Sequence, residues 1–152
     1  MSLSARIEQD YIVAYKSKDS LRLSVLRLLK TAAKNLLVEL RRPGGELSDA
    51  ELYGVLVKQA KQRQDSIEQF KLASRPDLAD KEEEELRILR EYLPSQLDAQ
   101  ELETAVNAAI AECGATSARD MGKVMQKMTA AYAGRIDGKS LSALVRDKLA
   151  QL

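Results

Sequence analysis

The longest apolar stripe of the chain lies between Leu21 and Leu40, and it repeats at the spacing of a helix. Leu21, Val25, Leu28, Leu29, Ala32, Leu36 and Leu40 recur mainly at intervals of three and four, with Leu26, Leu37 and Val38 widening the stripe. A helix that is apolar over so much of its circumference is expected at the buried centre of a bundle. Pro43-Gly44-Gly45 stops it, because proline cannot continue a helix and glycine accepts the left-handed turn that ends one. No segment alternates apolar and polar residues with the period of two that a half-buried strand requires. The chain is therefore expected to be all-α.

The other segments fit the same scheme. A first helix is expected from about Ser4 to Lys18 and the second from about Ser20 to Arg42. Ser48 with Glu51 forms a capping box that opens a third, running to about Ala73. Arg75-Pro76-Asp77 turns the chain into a fourth, which Pro94 ends. Asp98 with Glu101 starts a fifth helix, capped at its carboxyl end by Gly114. Ser117 opens a sixth, with Met121, Val124, Met125, Met128 and Tyr132 on its apolar face and Gly134 as its C-cap. Asp137 caps a seventh, carrying Leu141, Leu144, Val145, Leu149 and Leu152. The segment Leu93-Pro94-Ser95-Gln96-Leu97 reads as the linker. A four-helix bundle over residues 1–94 and a three-helix domain over residues 95–152 follow.

Composition narrows the chemistry. The 152 residues include no histidine, which removes the usual general base and the commonest metal ligand. A single cysteine excludes a disulfide framework and a cysteine-based zinc site. Cys113, on the apolar stripe of the fifth helix, reads as an inert buried thiol. No apolar run approaches the ~20 residues of a membrane span, and the amino terminus lacks the apolar core of a secretory signal. A soluble cytoplasmic protein is expected, with no membrane partner, metal or cofactor.

Two charged constellations need a reading. Arg63 falls within the apolar stripe of the third helix, and Glu82 and Glu85 fall among Leu78, Leu86, Leu89 and Leu93 of the fourth. Counted outward from the turn near Arg75, an antiparallel pair sets Arg63 opposite Glu85. A partly buried ion pair is expected, in preference to a metal site or an acid–base couple. The run Glu82-Glu83-Glu84-Glu85 diverges around the helix axis and cannot converge on one ion. Between Leu21 and Arg42 there are six basic residues and one acid. Arg27, Lys34 and Arg41, with Lys30, line one edge there, and we favour an ordinary solvent edge over a phosphate track.

The carboxyl-terminal third is the better candidate for binding. From Arg119 to Leu152 there are seven basic residues and three acids. Arg119, Lys123 and Lys127 repeat at i, i+4 and i+8, Arg135 and Lys139 flank a turn, and Arg146 follows. Gly122, Gly134 and Gly138 lie among them, where the lack of a side chain permits close backbone approach. The start of the seventh helix is expected to offer free N–H donors to a phosphate. On residue types alone, this set fits either a phosphate grip or the basic edge of a small soluble domain. No Gly-x-x-x-x-Gly-Lys-Ser/Thr loop and no nucleophile with a positioned base is found, so no catalytic residue is assigned.

Several blocks in order resemble the GatB/YqeY family over the whole chain. They are Leu21-Arg22-Leu23-Ser24-Val25-Leu26-Arg27, Ser66-Ile67-Glu68-Gln69-Phe70, Glu91-Tyr92-Leu93-Pro94-Ser95-Gln96-Leu97, Met121-Gly122-Lys123-Val124-Met125 and Gly134-Arg135-Ile136-Asp137-Gly138-Lys139. The carboxyl-terminal third is similar to the tail of the B subunit of the tRNA-dependent amidotransferase, which makes amides on mischarged tRNA with glutamine as nitrogen donor. That resemblance implies tRNA as partner, held by Gly122, Lys123, Lys127, Gly134, Arg135, Gly138, Lys139 and Arg146. It also implies a non-catalytic role, since the amidase signature and the ATP-dependent domain of the larger enzyme are missing. The alternatives are a component of such an amidotransferase, or a helical adaptor for a protein of the tRNA-charging or translation machinery.

Overall fold

A computed structural model describes residues 1–152, and the all-α expectation is met: seven α-helices and no strand. The chain divides into two compact units, Met1–Leu93 and Pro94–Leu152.

The first unit holds α1 (Leu3–Ser17), α2 (Ser20–Glu39), α3 (Asp49–Leu72) and α4 (Pro76–Arg90). Polar side chains set the helix starts by accepting otherwise orphaned N–H groups. Ser2 accepts from Ala5 and Asp19 from Arg22. The capping box of Ser48 and Glu51 is complete in both directions. Pro76 begins α4, where its missing N–H costs nothing. The core joins Leu3, Ile7 and Ala14 of α1 to Val25, Leu26 and Leu29 of α2, Leu52 and Leu56 of α3, and Ile88 and Leu89 of α4.

The expectation that α2 is the most buried helix is not met. Only Val25, Leu26 and Leu29 of α2 are buried, against Ala79, Glu85, Leu86, Ile88 and Leu89 of α4. Leu28, Val38 and Leu40 are 52%, 61% and 42% exposed. Two causes explain the difference. Leu28 lies alongside α1, whose Glu8 meets Lys30, but is turned outward. α1 has 15 residues and α2 has 20, so Val38 and Leu40, at the end of α2, lie beyond α1. Periodicity reports which residues are apolar and is silent on whether a neighbour reaches them.

Two polar arrangements hold this unit together. The distal halves of α3 and α4 enclose a small cluster of Ile67, Ala79 and Leu86. Beside it Arg63, 9% exposed, donates to Glu82 at 3.2 Å and to Glu85, itself 8% exposed. At the end of α4, Glu91 takes a two-pronged contact from Arg22 at 2.7 and 3.1 Å. Arg6 lies 4.7 Å over the Tyr92 ring, and the buried Tyr92 hydroxyl donates to Asp10 at 2.6 Å. The Arg22 hydrogen bond holds the Glu91 carboxyl below its usual range. Burial, assisted by Asp10, pushes the Tyr92 phenol up from its usual value.

The second unit holds α5 (Ala99–Cys113), α6 (Met121–Ala131) and α7 (Gly138–Ala150). Val106, Ala109 and Ile110 pack against Val124 and Met128 of α6 and against Leu141, Val145 and Leu149 of α7. Asp98 and Glu101 form the expected capping box, and Gly114 ends α5 in the left-handed conformation at φ 63°. The segment expected to open the sixth helix is a single 3-10 turn, Ala118–Asp120, before α6. Its capping box joins Ser117 and Asp120 and uses the first-turn amides before the α-helix begins. Gly134 is not the C-cap expected; α6 ends at Ala131 with Tyr132 as its cap, and Gly134 turns the following loop at φ 77°. Cys113 is half-buried, short of the full burial expected.

Removing one partner from a buried ion pair strands the other charge, whereas replacing both with apolar groups is often neutral. Arg63→Met should therefore cost about 3 kcal/mol or more in urea denaturation. Arg63→Met/Glu85→Leu should recover most of that loss, because Glu82 is exposed enough to turn to water. Tyr92 makes a second prediction. Its raised phenol contributes stability that is complete below the usual tyrosine value near 10 and is lost as pH rises beyond it, because the unfolded chain ionises first. Denaturation at about pH 8 and about pH 10.5 should show a steeper alkaline loss in the parent than in Tyr92→Phe.

Candidate nucleic-acid interface

Each implicated residue of the second unit occupies a definite place, and together they do not form one patch. Lys123 and Lys127 sit one turn apart on α6. Lys127 meets Glu112 of α5 at 2.5 Å, and that hydrogen bond holds its ammonium above the usual lysine range. The Lys123 side chain is 72% exposed, and its nearest acid is Asp120 at 3.9 Å. This pair lies on the flank of α6 that adjoins α5. On α7, Lys148 reaches Glu103 of α5 at 2.6 Å. Arg146 is two residues earlier, ~200° around the helix, so it is turned to the opposite flank. Lys139 precedes Arg146 by two full turns and shares its stripe. Lys139 and Arg146 are exposed and have no acid partner.

Arg135 has a different task. Its Nε donates to the Ser95 carbonyl at 2.8 Å, and its own carbonyl accepts from the Leu97 N–H at 3.0 Å. The Gln96 side-chain amide donates to the Gly134 carbonyl at 2.6 Å. The turn at Gly134 and Arg135 thus fastens the segment leading into α5. Gly134 is required there by its positive φ, a conformation that burdens any L side chain. Gly122 and Gly138 have no such need; a Cβ at either would meet nothing within 4 Å.

The free donors expected at the start of α7 are already taken. The Asp137 carboxylate accepts from the Lys139 and Ser140 N–H groups and from the Ser140 hydroxyl. Its negative charge occupies the place an anion would take at a helix N-terminus. Asp137 is the N-cap that the sequence indicates; free donors were expected beside it because N-caps and anion sites use the same amides, and the cap itself was the signal.

In the first unit, Arg63 and Glu85 are brought together as described. The acid run diverges: Glu82 and Glu85 turn to Arg63, while Glu83 meets Lys71 at 3.2 Å. An open groove of about 570 Å³ between α5 and α7 is lined by Asn107, Ile110, Gly114, Thr116, Lys148 and Gln151. Its one charged group, Lys148, is engaged by Glu103. No helix is long and apolar enough to cross a membrane.

Residues 4–149 match the Yqey-like protein family, and the chain belongs to that family. Among curated proteins, it is similar to "Altered inheritance of mitochondria protein 41, mitochondrial" of Lachancea thermotolerans, with 36% identity over 59% of this chain and 46% of the relative. The protein of that name in Vanderwaltozyma polyspora is 33% identical over 66% of this chain and 54% of the relative. That in Pyrenophora tritici-repentis is 28% identical over 93% and 78%. The chain spans about half the length of the first of these relatives.

These relatives overturn the cytoplasmic expectation, since they are named as mitochondrial proteins. The expectation rested on the lack of an apolar secretory core at the amino terminus. Mitochondrial leaders are amphipathic and basic, a different pattern altogether.

Stability measurements separate the fastening residue from the exposed ones. Arg135→Ala should lower the unfolding free energy by about 1 kcal/mol through loss of its hydrogen bond to Ser95. Lys139→Ala should change it by less than about 0.5 kcal/mol.

Proposed function

We propose that the chain is a non-catalytic accessory protein that binds tRNA through its second unit. The observation that carries this reading is the outward-facing cation set there: Lys123 with a 72% exposed side chain, and Lys139 and Arg146 exposed without acid partners. Such side chains contact phosphate oxygens, which position a nucleic acid without reading its bases. The likeness of this third of the chain to the amidotransferase tail supplies tRNA as the partner. Lys127 joins by exchanging Glu112 for a phosphate, while Arg135 serves by holding the Ser95–Leu97 segment. The open surface above Gly122 and Gly138 lets a backbone come close.

With Tyr132 the one aromatic among these residues, and Arg135 lying 5.9 Å over its ring, recognition rests on phosphates and shape. Partnership with an amidotransferase or another component of tRNA charging fits the same reading, with the chemistry supplied by the partner. A protein-docking role for the first unit is the competing reading, favoured by Ile12, Val13 and Tyr15 of α1 at 44%, 58% and 65% exposure.

Titration of labelled, unfractionated tRNA tests the proposal. Affinity should fall with salt at a log–log slope of up to about −3 if Lys123, Lys127, Lys139 and Arg146 each neutralise one phosphate at ~0.7. Lys123→Ala/Lys139→Ala/Arg146→Ala should weaken binding and flatten the slope by about 2. A folded variant that binds like the parent would remove the second unit from tRNA recognition. Capture of a protein partner from nuclease-treated extract by way of α1 would favour the adaptor.

A further inference from the structure

We infer that α2 carries a second track for an RNA sugar–phosphate backbone along its outer ridge, independent of the reading given to the second unit. The ridge consists of Ser20, Ser24, Arg27, Thr31, Lys34 and Val38, at alternating spacings of four and three, and Arg41 follows just past the helix end. All seven are exposed. Three are cations, three carry hydroxyls, and none is acidic. An ordinary solvated helix face mixes both signs, because pairs at i and i+4 support the helix.

The rest of α2 sharpens the contrast. The segment has six cations. Those directed at neighbouring elements are engaged: Arg22 by Glu91 at 2.7 Å, Lys30 by Glu8 at 2.9 Å, and Arg42 by Glu51. Arg27, Lys34 and Arg41, on or beside the ridge, have no acid partner. Glu39, the one acid of the helix, is turned ~120° away from Arg27 and lines a groove with α3. The three cations are seven residues apart, about 10 Å of helix each.

Arg41 adopts φ 59°, the left-handed position after a helix where glycine is the relaxed choice. Lys18 after α1 and Ser74 after α3 take the same conformation, so this turn is the chain's ordinary helix ending, and it sets Arg41 at the foot of the ridge. The Ser20 and Ser24 hydroxyls, interleaved with the cations, match the donors that proteins set against phosphodiesters, while the Thr31 hydroxyl donates to the Arg27 carbonyl at 3.0 Å. A lipid surface would call for bulky apolar groups between the cations, and Val38 is the single one on the ridge.

The test is Arg27→Gln/Lys34→Gln/Arg41→Gly in the full chain, since glutamine keeps helix propensity and glycine relaxes the left-handed turn. Circular dichroism and melting should match the parent. Binding of unfractionated tRNA should weaken roughly tenfold or more, and the salt slope should become shallower by about 2. The Lys123→Ala/Lys139→Ala/Arg146→Ala variant is titrated in parallel. A loss in the ridge variant alone upholds the ridge and overturns the role of the second unit; the reverse pattern overturns the ridge. Unchanged tRNA affinity and salt slope, with lost binding to phosphatidylglycerol vesicles, would also overturn it and assign the ridge to a membrane surface.

Discussion

Each unit must close a hydrophobic core from three or four short helices with almost no aromatic mass. The chain has one phenylalanine, five tyrosines and no tryptophan, so its cores are assembled chiefly from leucine, isoleucine, valine, alanine and methionine, with Tyr92 as the buried aromatic of the first. A buried aliphatic of this kind contributes ~1.5–3 kcal/mol, and much of that sum is cancelled by the conformational entropy of ordering the chain. Helix ends and polar contacts must therefore be satisfied with little waste. Side-chain caps at Ser2, Asp19, Ser48, Asp98, Ser117 and Asp137 do this at six starts.

Under that constraint, three of the five sequence blocks fasten to one another. Arg22 of the first block meets Glu91 of the third, while Tyr92 of the same block is held by Arg6 and Asp10. Farther on, Ser95, Gln96 and Leu97 are bound by Gly134 and Arg135 of the last block. Residues on either side of the boundary at Leu93 are thus fastened each within its own unit. A motif that reads like a binding loop in sequence is here divided between fastening and exposure. Arg135 fastens, and Lys139, four residues later, remains available.

The legible part of the fold was local. A capping box spans three residues and has one geometric meaning, which is why Ser48–Glu51 and Asp98–Glu101 were readable. Arg63 was placed opposite Glu85 by counting along two helices joined by a short turn, a calculation that needs no knowledge of the remaining chain. Residues whose surroundings come from far away were not readable. The exposure of Val38 and Leu40 depends on where α1 runs out, and the role of Arg135 depends on a carbonyl 40 residues earlier. The start of α7 was misread for a third reason, because Asp137 already supplies the negative charge that an anion would bring.

The same division explains why an uncompensated cation is more telling here than a basic segment. The chain is close to neutral, with 24 basic and 23 acidic residues, and most cations between packed helices are matched by an acid. A guanidinium directed at a neighbouring helix needs such a partner, because desolvation without one is costly. An exposed cation in water has no such requirement, so the lack of an acid beside one of them says little. Unpaired cations that fall in register are a different matter, because their fields add. Arg27 and Lys34 share one stripe of α2 with Ser20, Ser24 and Thr31, and Lys139 and Arg146 share one stripe of α7. Two acid-free stripes on separate helices concentrate positive potential that a nearly neutral total conceals. Such stripes attract polyanions at long range and lose that attraction as salt rises.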